Sequence, residues 1–239
     1  MISNVKHLYV WNDMPLFLDN KKDIHINKFL DLAKKCAESN GADFHLINSV
    51  SYDKWCEMLT PMLNHSNVIQ IGTRPSLLAL PKSNVMKLAT VRSIDSNGIT
   101  KSVGIKDIKG FDEWLSIIGS ELHIVEDVLI TGNTISCIVE TIRNRGYKGQ
   151  IILDVFCANV QALKKIGSNM VNLTINSHIK LEGIPIKQST LICCHDLIYG
   201  YLGDRHYYEC AELLANFFGD NVNDLIFGIK QIQSVLGGN

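Results

Sequence analysis

The feature that most constrains this chain is the regular alternation of short apolar runs with amphipathic stretches. Val5–Trp11, Asp43–Ser49, Asn67–Gly72, Val85–Arg92, Leu122–Val128, Ile151–Phe156 and Met170–Ile175 read as strands. Between them lie segments with apolar residues at helical spacing. In one, Ile26, Phe29, Leu30, Ala33 and Cys36 share a face, and Gly41 ends it. Ser51–Leu63 follows with Ser51 as a plausible N-cap, and Phe111–Ile118 and Val160–Ile166 read as short helices. A further helix places Ile135, Ile138, Val139 and Ile142 together and closes at Gly146. Strands alternating with helices imply right-handed crossovers and a parallel sheet covered on both faces.

The expected architecture is therefore α/β, a parallel twisted sheet flanked by helices, with a mostly helical C-terminal appendage. A single domain over 1–239 is expected, with its core at about 25–180 and the appendage at 181–239. That last part holds a strand-like Thr190–Cys194 and helices at 205–218 and 222–236. Its final helix carries an apolar face of Leu225, Ile229, Ile232 and Leu236, which serves either the core or a homodimer interface. Residues 94–110 are polar, contain glycine and lack periodicity, so they read as a mobile excursion.

With 46% hydrophobic and 20% charged residues, disorder is not expected. A net charge of −1 gives no basic field for nucleic acid. No stretch approaches the roughly 20 apolar residues of a membrane span, and the N-terminus does not read as a secretory signal. Seven cysteines without Cys-x-x-Cys spacing read as reduced thiols, which points to a cytoplasmic protein. No Gly-x-x-x-x-Gly-Lys-Ser/Thr string occurs, and no Gly-x-Gly-x-x-Gly follows a strand, which argues against a kinase or dinucleotide enzyme.

The chemistry is concentrated in Ile124-Val125-Glu126-Asp127-Val128-Leu129-Ile130-Thr131-Gly132-Asn133-Thr134. An apolar strand delivers two carboxylates toward its C-terminal end, a short turn follows, and a helix begins. A helix start offers backbone N–H groups and partial positive charge, a ready site for a phosphate. Gly132 lets the backbone approach a ligand, and the Thr131 and Thr134 hydroxyls add donors. Glu126 and Asp127 lie where they can meet hydroxyls on whatever carries the phosphate. The plainer reading is a capped βα turn with Asn133 or Thr134 as N-cap.

This stretch resembles the phosphoribosyl pyrophosphate (PRPP) motif of type I phosphoribosyltransferases: an apolar strand, two acids, a few residues, then Thr-Gly-x-Thr. The resemblance implies that Glu126 and Asp127 contact the ribose 2′- and 3′-hydroxyls and that Thr131, Gly132, Asn133 and Thr134 cradle the 5′-phosphate. It implies a Mg²⁺ cofactor carried mainly by the substrate, with Glu126 and Asp127 as its protein contacts. Val68–Leu80 resembles the family's pyrophosphate loop, with Thr73 and Arg74 facing the pyrophosphate, though Pro75-Ser76 stands where many members have paired glycines. Lys101, in the polar excursion, is placed to reach the same group or simply to face solvent. Ile130 occupies a position where purine-using members often carry an Asp general base, so a hypoxanthine or guanine acceptor is disfavoured unless another residue takes that role. The resemblance spans roughly residues 25–180. It implies transfer of ribose 5-phosphate from PRPP to a small-molecule acceptor, or a regulator that binds the same ligand without turnover. The acceptor hood would come from Val5–Leu18 and 180–210, including the aromatic run Tyr199–Tyr208.

Overall fold

In a computed structural model of the chain, the structure describes residues 5–12, 23–47, 49–71, 85–88, 90–94, 100–105, 109–181, 189–199 and 216–236. The chain divides into two compact units, Met1–Ser51 with Lys187–Asn239, and Tyr52–Ile186. The boundary thus differs from a core over 25–180 with an appendage after it. Residues 25–51 join the C-terminal segment because the N-terminal strand pairs with one strand from each.

In the first unit, β1 (Lys6–Trp11) is the middle strand of a parallel sheet, between β2 (Ala42–Ile47) and β10 (Ser189–Cys193). Leu8 and Val10 of β1 point into a core built on α1 (Asp23–Ser39), with Ile26, Phe29, Leu30, Ala33 and Cys36 buried as their spacing predicts. The core is completed by Leu197 and Ile198 of α6 (Cys194–Tyr199) and by Leu225, Ile229 and Ile232 of α7 (Val222–Leu236). Of the two roles open to that apolar face, Leu225, Ile229 and Ile232 take the intramolecular one. Gly228 sits at the α1–α7 crossing, where an added Cβ would lie 2.5 Å from Leu32 Cδ2. Lys6, on the core side of β1, reaches the Asn216 carbonyl at 2.8 Å.

The second unit contains a five-stranded parallel sheet in the order β4 (Val85–Leu88), β3 (Asn67–Ile71), β7 (Glu121–Leu129), β8 (Gln150–Asn159), β9 (Leu173–Leu181). Its main core gathers Leu122, Ile124, Ile151, Leu153 and Val155 beneath α3 (Phe111–Ile117), α4 (Asn133–Asn144) and α5 (Val160–Asn169). The opposite face packs against α2 (Ser49–Leu63), whose Trp55 ring lies 5.6 Å from that of Phe156. A polar network crosses three strands on that face. His123 Nδ1 is 2.8 Å from Asp154 Oδ2, His123 Nε2 is 3.3 Å from Glu121 Oε1, and the Asn176 amide donates to Asp154 Oδ1 at 2.9 Å. Burial disfavours charge on His123, but the Asp154 and Glu121 carboxylates outweigh it and raise its pKa above the ordinary imidazole value.

The excursion expected at 94–110 is partly ordered as a ribbon. β5 (Thr90–Ile94) pairs antiparallel with β6 (Thr100–Ile105), with a register shift at Ser93/Ile94. Of this ribbon, β6 packs against α4, and Ile105 at its end lies against the core of the second unit. Strand β9 begins later than predicted, after Asn172 at φ 54°. Among the described residues, Cys36, Cys56, Cys137, Cys157 and Cys194 are not joined in disulfides. No helix among them is long and apolar enough to cross a membrane.

Candidate functional site

The candidate segment begins at the centre of the five-stranded sheet. β7 pairs with β3 from Leu122 to Val125 and continues beside β8 through Glu126↔Val155, Val128↔Cys157 and Leu129↔Ala158. β7 therefore outruns its β3 neighbour by a few residues, and the two acids fall where that pairing ends. Both residues are half-buried, and the Oε2 atom of Glu126 is enclosed. Because side chains alternate along a strand, Glu126 follows Leu122 and Ile124 while Asp127 follows His123 and Val125. The acids thus flank the strand end rather than standing side by side.

Asp127 makes itself felt across the sheet. The Cys157 thiol is pushed up to about 12, first by burial and then by the negative charge of Asp127. At neutral pH that thiol stays protonated, so it is neither a nucleophile nor a soft metal ligand.

Strand β7 ends at Leu129, and Ile130 and Thr131 lead to Gly132. Gly132 is the N-cap of α4, at φ 75°, ψ 1°, in the left-handed region that side chains other than glycine rarely adopt. The cap is thus the glycine and not Asn133 or Thr134, and no side chain caps the helix. An added Cβ at Gly132 would meet Ile166 Cδ1 at 2.6 Å and Cγ1 at 2.9 Å. The space left by the missing side chain is therefore filled by α5. The turn and the helix packing therefore require glycine here in their own right.

The helix start remains rich in donors. The first helical hydrogen bond runs from the Ser136 N–H to the Gly132 carbonyl at 2.9 Å. The N–H groups of Asn133, Thr134 and Ile135 precede it and have no acceptor within the helix. Thr131 is exposed, and its Oγ1 lies 3.4 Å from the Asn133 N–H, a long contact. Asn133 is exposed and Thr134 half-buried.

One cation at this turn was not foreseen from the sequence. Lys165 of α5 donates to Asn133 Oδ1 at 3.2 Å, which brings an ammonium group to the N-terminal end of α4. Nothing in the pattern around Lys164-Lys165 distinguishes it from a solvated helix face. Only the packing of α5 against Gly132 places it here.

Lys101 lies on β6, between the Ser93↔Ser102 and Ile94↔Thr100 pairs, and β6 packs against α4. Thr73 and Arg74 lie outside the described residues, as does most of the proposed hood, including 200–208. β3 ends at Ile71, one residue beyond Gln70, whose partner is Val125. The chain therefore leaves β3 toward residue 72 next to the strand that carries the acids. A separate groove, lined by Asp112, Ser116, Arg145 and Lys148 among others, lies at the other end of β7, where that strand begins.

No protein-family model matches the chain, and no curated protein matches it. Solved structures do, and phosphoribosyltransferases recur among them. An APRTase from Giardia lamblia complexed with 9-deazaadenine is 16% identical over 54% of this chain and 79% of that one, with a TM-score of 0.38. An orotate phosphoribosyltransferase from Aeropyrum pernix is 18% identical over 56% and 71%, with a TM-score of 0.33. A hypothetical protein from Neisseria gonorrhoeae with bound ppGpp is 15% identical over 68% and 91%, with a TM-score of 0.43.

Proposed function

We propose that the β7–α4 junction binds the ribose 5-phosphate portion of PRPP and that the protein is a phosphoribosyltransferase. It would move ribose 5-phosphate to a small ring acceptor and release pyrophosphate. The observation that carries this reading is the order of parts at one place. A central parallel strand brings two half-buried acids to its C-terminal end, and a three-residue turn leads straight into a helix start. Ligands of open parallel sheets bind beyond the carboxyl ends of their strands.

The roles divide by chemistry. The phosphate would take the N–H groups of Asn133, Thr134 and Ile135 and the Thr131 and Thr134 hydroxyls, with Lys165 adding positive charge at the rim. Glu126 and Asp127 would accept from the ribose hydroxyls, one from each side of the strand end. Thr73, Arg74 and Lys101 are assigned to the pyrophosphate on the sequence resemblance. Cleavage at ribose C1 builds positive charge on the sugar, which the two carboxylates would stabilise, and negative charge on the leaving group.

The donor set at the acids fits magnesium. It consists of carboxylate oxygens, and the neighbouring Cys157 thiol is held protonated. Glu126 and Asp127 are the protein groups that would hold Mg²⁺ carried by the substrate, and the ion's charge would offset that of the pyrophosphate.

Ile130 bears on the acceptor. It has no proton to accept or donate, so an acceptor that arrives already deprotonated is favoured over hypoxanthine or guanine. The same residue keeps a second reading in play, a regulator that binds PRPP without turnover. The experiment is pyrophosphate release from PRPP and Mg²⁺ with a panel of free bases, beside calorimetric binding of PRPP. Base-dependent release supports the transferase. Tight binding without release with any base supports the regulator, and absence of binding removes both.

A further inference from the structure

We propose that His7, Asp43 and His45 form a binding site for a divalent transition-metal ion of the zinc class, in the first unit and independent of the phosphate site. The site starts from register. Asp43 and His45 are two apart on β2, so both project from the same face of the sheet. β1 runs parallel beside them with His7 opposite Asp43 and Tyr9 opposite His45. Leu8, Val10 and Ala42 take the other face into the core. The pairing therefore gathers three side chains of metal-ligand type on the side away from that core.

Their atoms are already close to coordination spacing. His7 Nδ1 is 3.2 Å from His45 Nε2 and 3.4 Å from Asp43 Oδ2, and one ligand atom from each residue lies within 4.8 Å of the others. A tetrahedral ion with bonds of roughly 2.0–2.1 Å holds its ligand atoms about 3.3–3.4 Å apart. Two edges of such a polyhedron are thus present, and the third needs only a rotation of the Asp43 carboxylate, whose side chain is 57% exposed.

Without a cation the three atoms are poorly matched. A single proton on His7 Nδ1 can be donated well to the Asp43 carboxylate or to His45 Nε2, but not to both. A dication accepts lone pairs from all three.

The rings are held in place for the task. Tyr9 stacks on His45 with centroids 4.4 Å apart and planes 15° apart, and His7 stacks on the other imidazole at 5.5 Å and 24°. β1 is hydrogen-bonded on both sides, while among the described residues β2 is an edge strand, and its Asp43 is exposed. Two imidazoles and one carboxylate favour zinc, cobalt, nickel or copper over magnesium or calcium, which prefer all-oxygen sets. Three protein ligands leave a fourth position for water or another ligand.

The test is a titration of the metal-stripped, tag-free full chain with Co²⁺ followed by visible absorption, and with Zn²⁺ followed by calorimetry. The expected result is saturation at about one equivalent, with the visible bands of a four- or five-coordinate site and no near-ultraviolet thiolate charge transfer. His7→Gln and His45→Gln should each weaken binding by roughly 10- to 100-fold or more. Asp43→Asn should weaken it too while leaving the metal-free melting curve unchanged, which guards against variants that fail for want of folding. His25→Gln, on α1, should bind as wild type does. Absence of Co²⁺ and Zn²⁺ binding would overturn the proposal. So would a thiolate band, or undiminished affinity in a folded His7→Gln/His45→Gln double variant.

Discussion

Two polar clusters, one in each unit, are built in opposite ways. In the second, His123, Asp154 and Asn176 are tied together across three strands, with His123 and Asp154 almost wholly out of water. Its two inner members are paired with each other, and its outer members Glu121 and Asn176 are exposed. In the first, His7, Asp43 and His45 converge on a sheet face with more lone pairs than protons to fill them. A closed network spends its polarity on specifying the fold, whereas an open one keeps capacity for a ligand. The β7–α4 turn belongs with the second kind, since its helix amides and exposed hydroxyls are not used up by the fold.

The sharpest way to break this contrast is at Asp154. Replacing it with Leu strands the buried His123 imidazole without its carboxylate, and should cost about 3–5 kcal/mol in urea unfolding. A cost under about 1 kcal/mol would mean that water reaches the network. Next is Gly132→Ala, which combines a disfavoured φ with a contact to Ile166. It should cost about 1–3 kcal/mol, part of which Ile166→Val in the same chain returns. An unchanged melting temperature would show that the turn relaxes freely.

A smaller effect comes from pH. The His123 pKa is raised in the fold, so its charged form is bound more tightly there than in the unfolded chain. That stabilisation is fully present below the unfolded imidazole pKa and is lost as pH rises through the folded one. The stability gap between wild type and His123→Gln should therefore narrow from mildly acidic to alkaline pH, and a gap that widens would reverse the assignment. The smallest expected effect is at Lys165. Lys165→Met should leave stability within about 0.5 kcal/mol and weaken phosphate-ligand binding by a few-fold, more at low salt than at high.

Much of this was legible in the sequence, and the reasons are local. The helix after the turn shows its buried face, Ile135, Ile138, Val139 and Ile142, in its spacing, and Gly146 ends it at φ 95°. β7 differs from the predicted Leu122–Val128 by one residue at each end. What stayed hidden is non-local. The pairing of β1 with β10 joins segments about 180 residues apart by register, and no spacing along the chain encodes it. His123, Asp154 and Asn176 sit on three strands, so each alone reads as an unremarkable polar residue. The β5–β6 ribbon and Lys165 were missed for the same reason, because their roles come from what packs beside them.

The proposed grip of the β7–α4 junction on a sugar phosphate depends on Glu126 and Asp127 holding its diol. Calorimetric titration of PRPP with Mg²⁺ into wild type and into the Glu126→Gln/Asp127→Asn double variant, with folding checked by circular dichroism, tests it most directly. The account predicts binding to wild type and none measurable to the folded variant. Equal affinity in the two would contradict it.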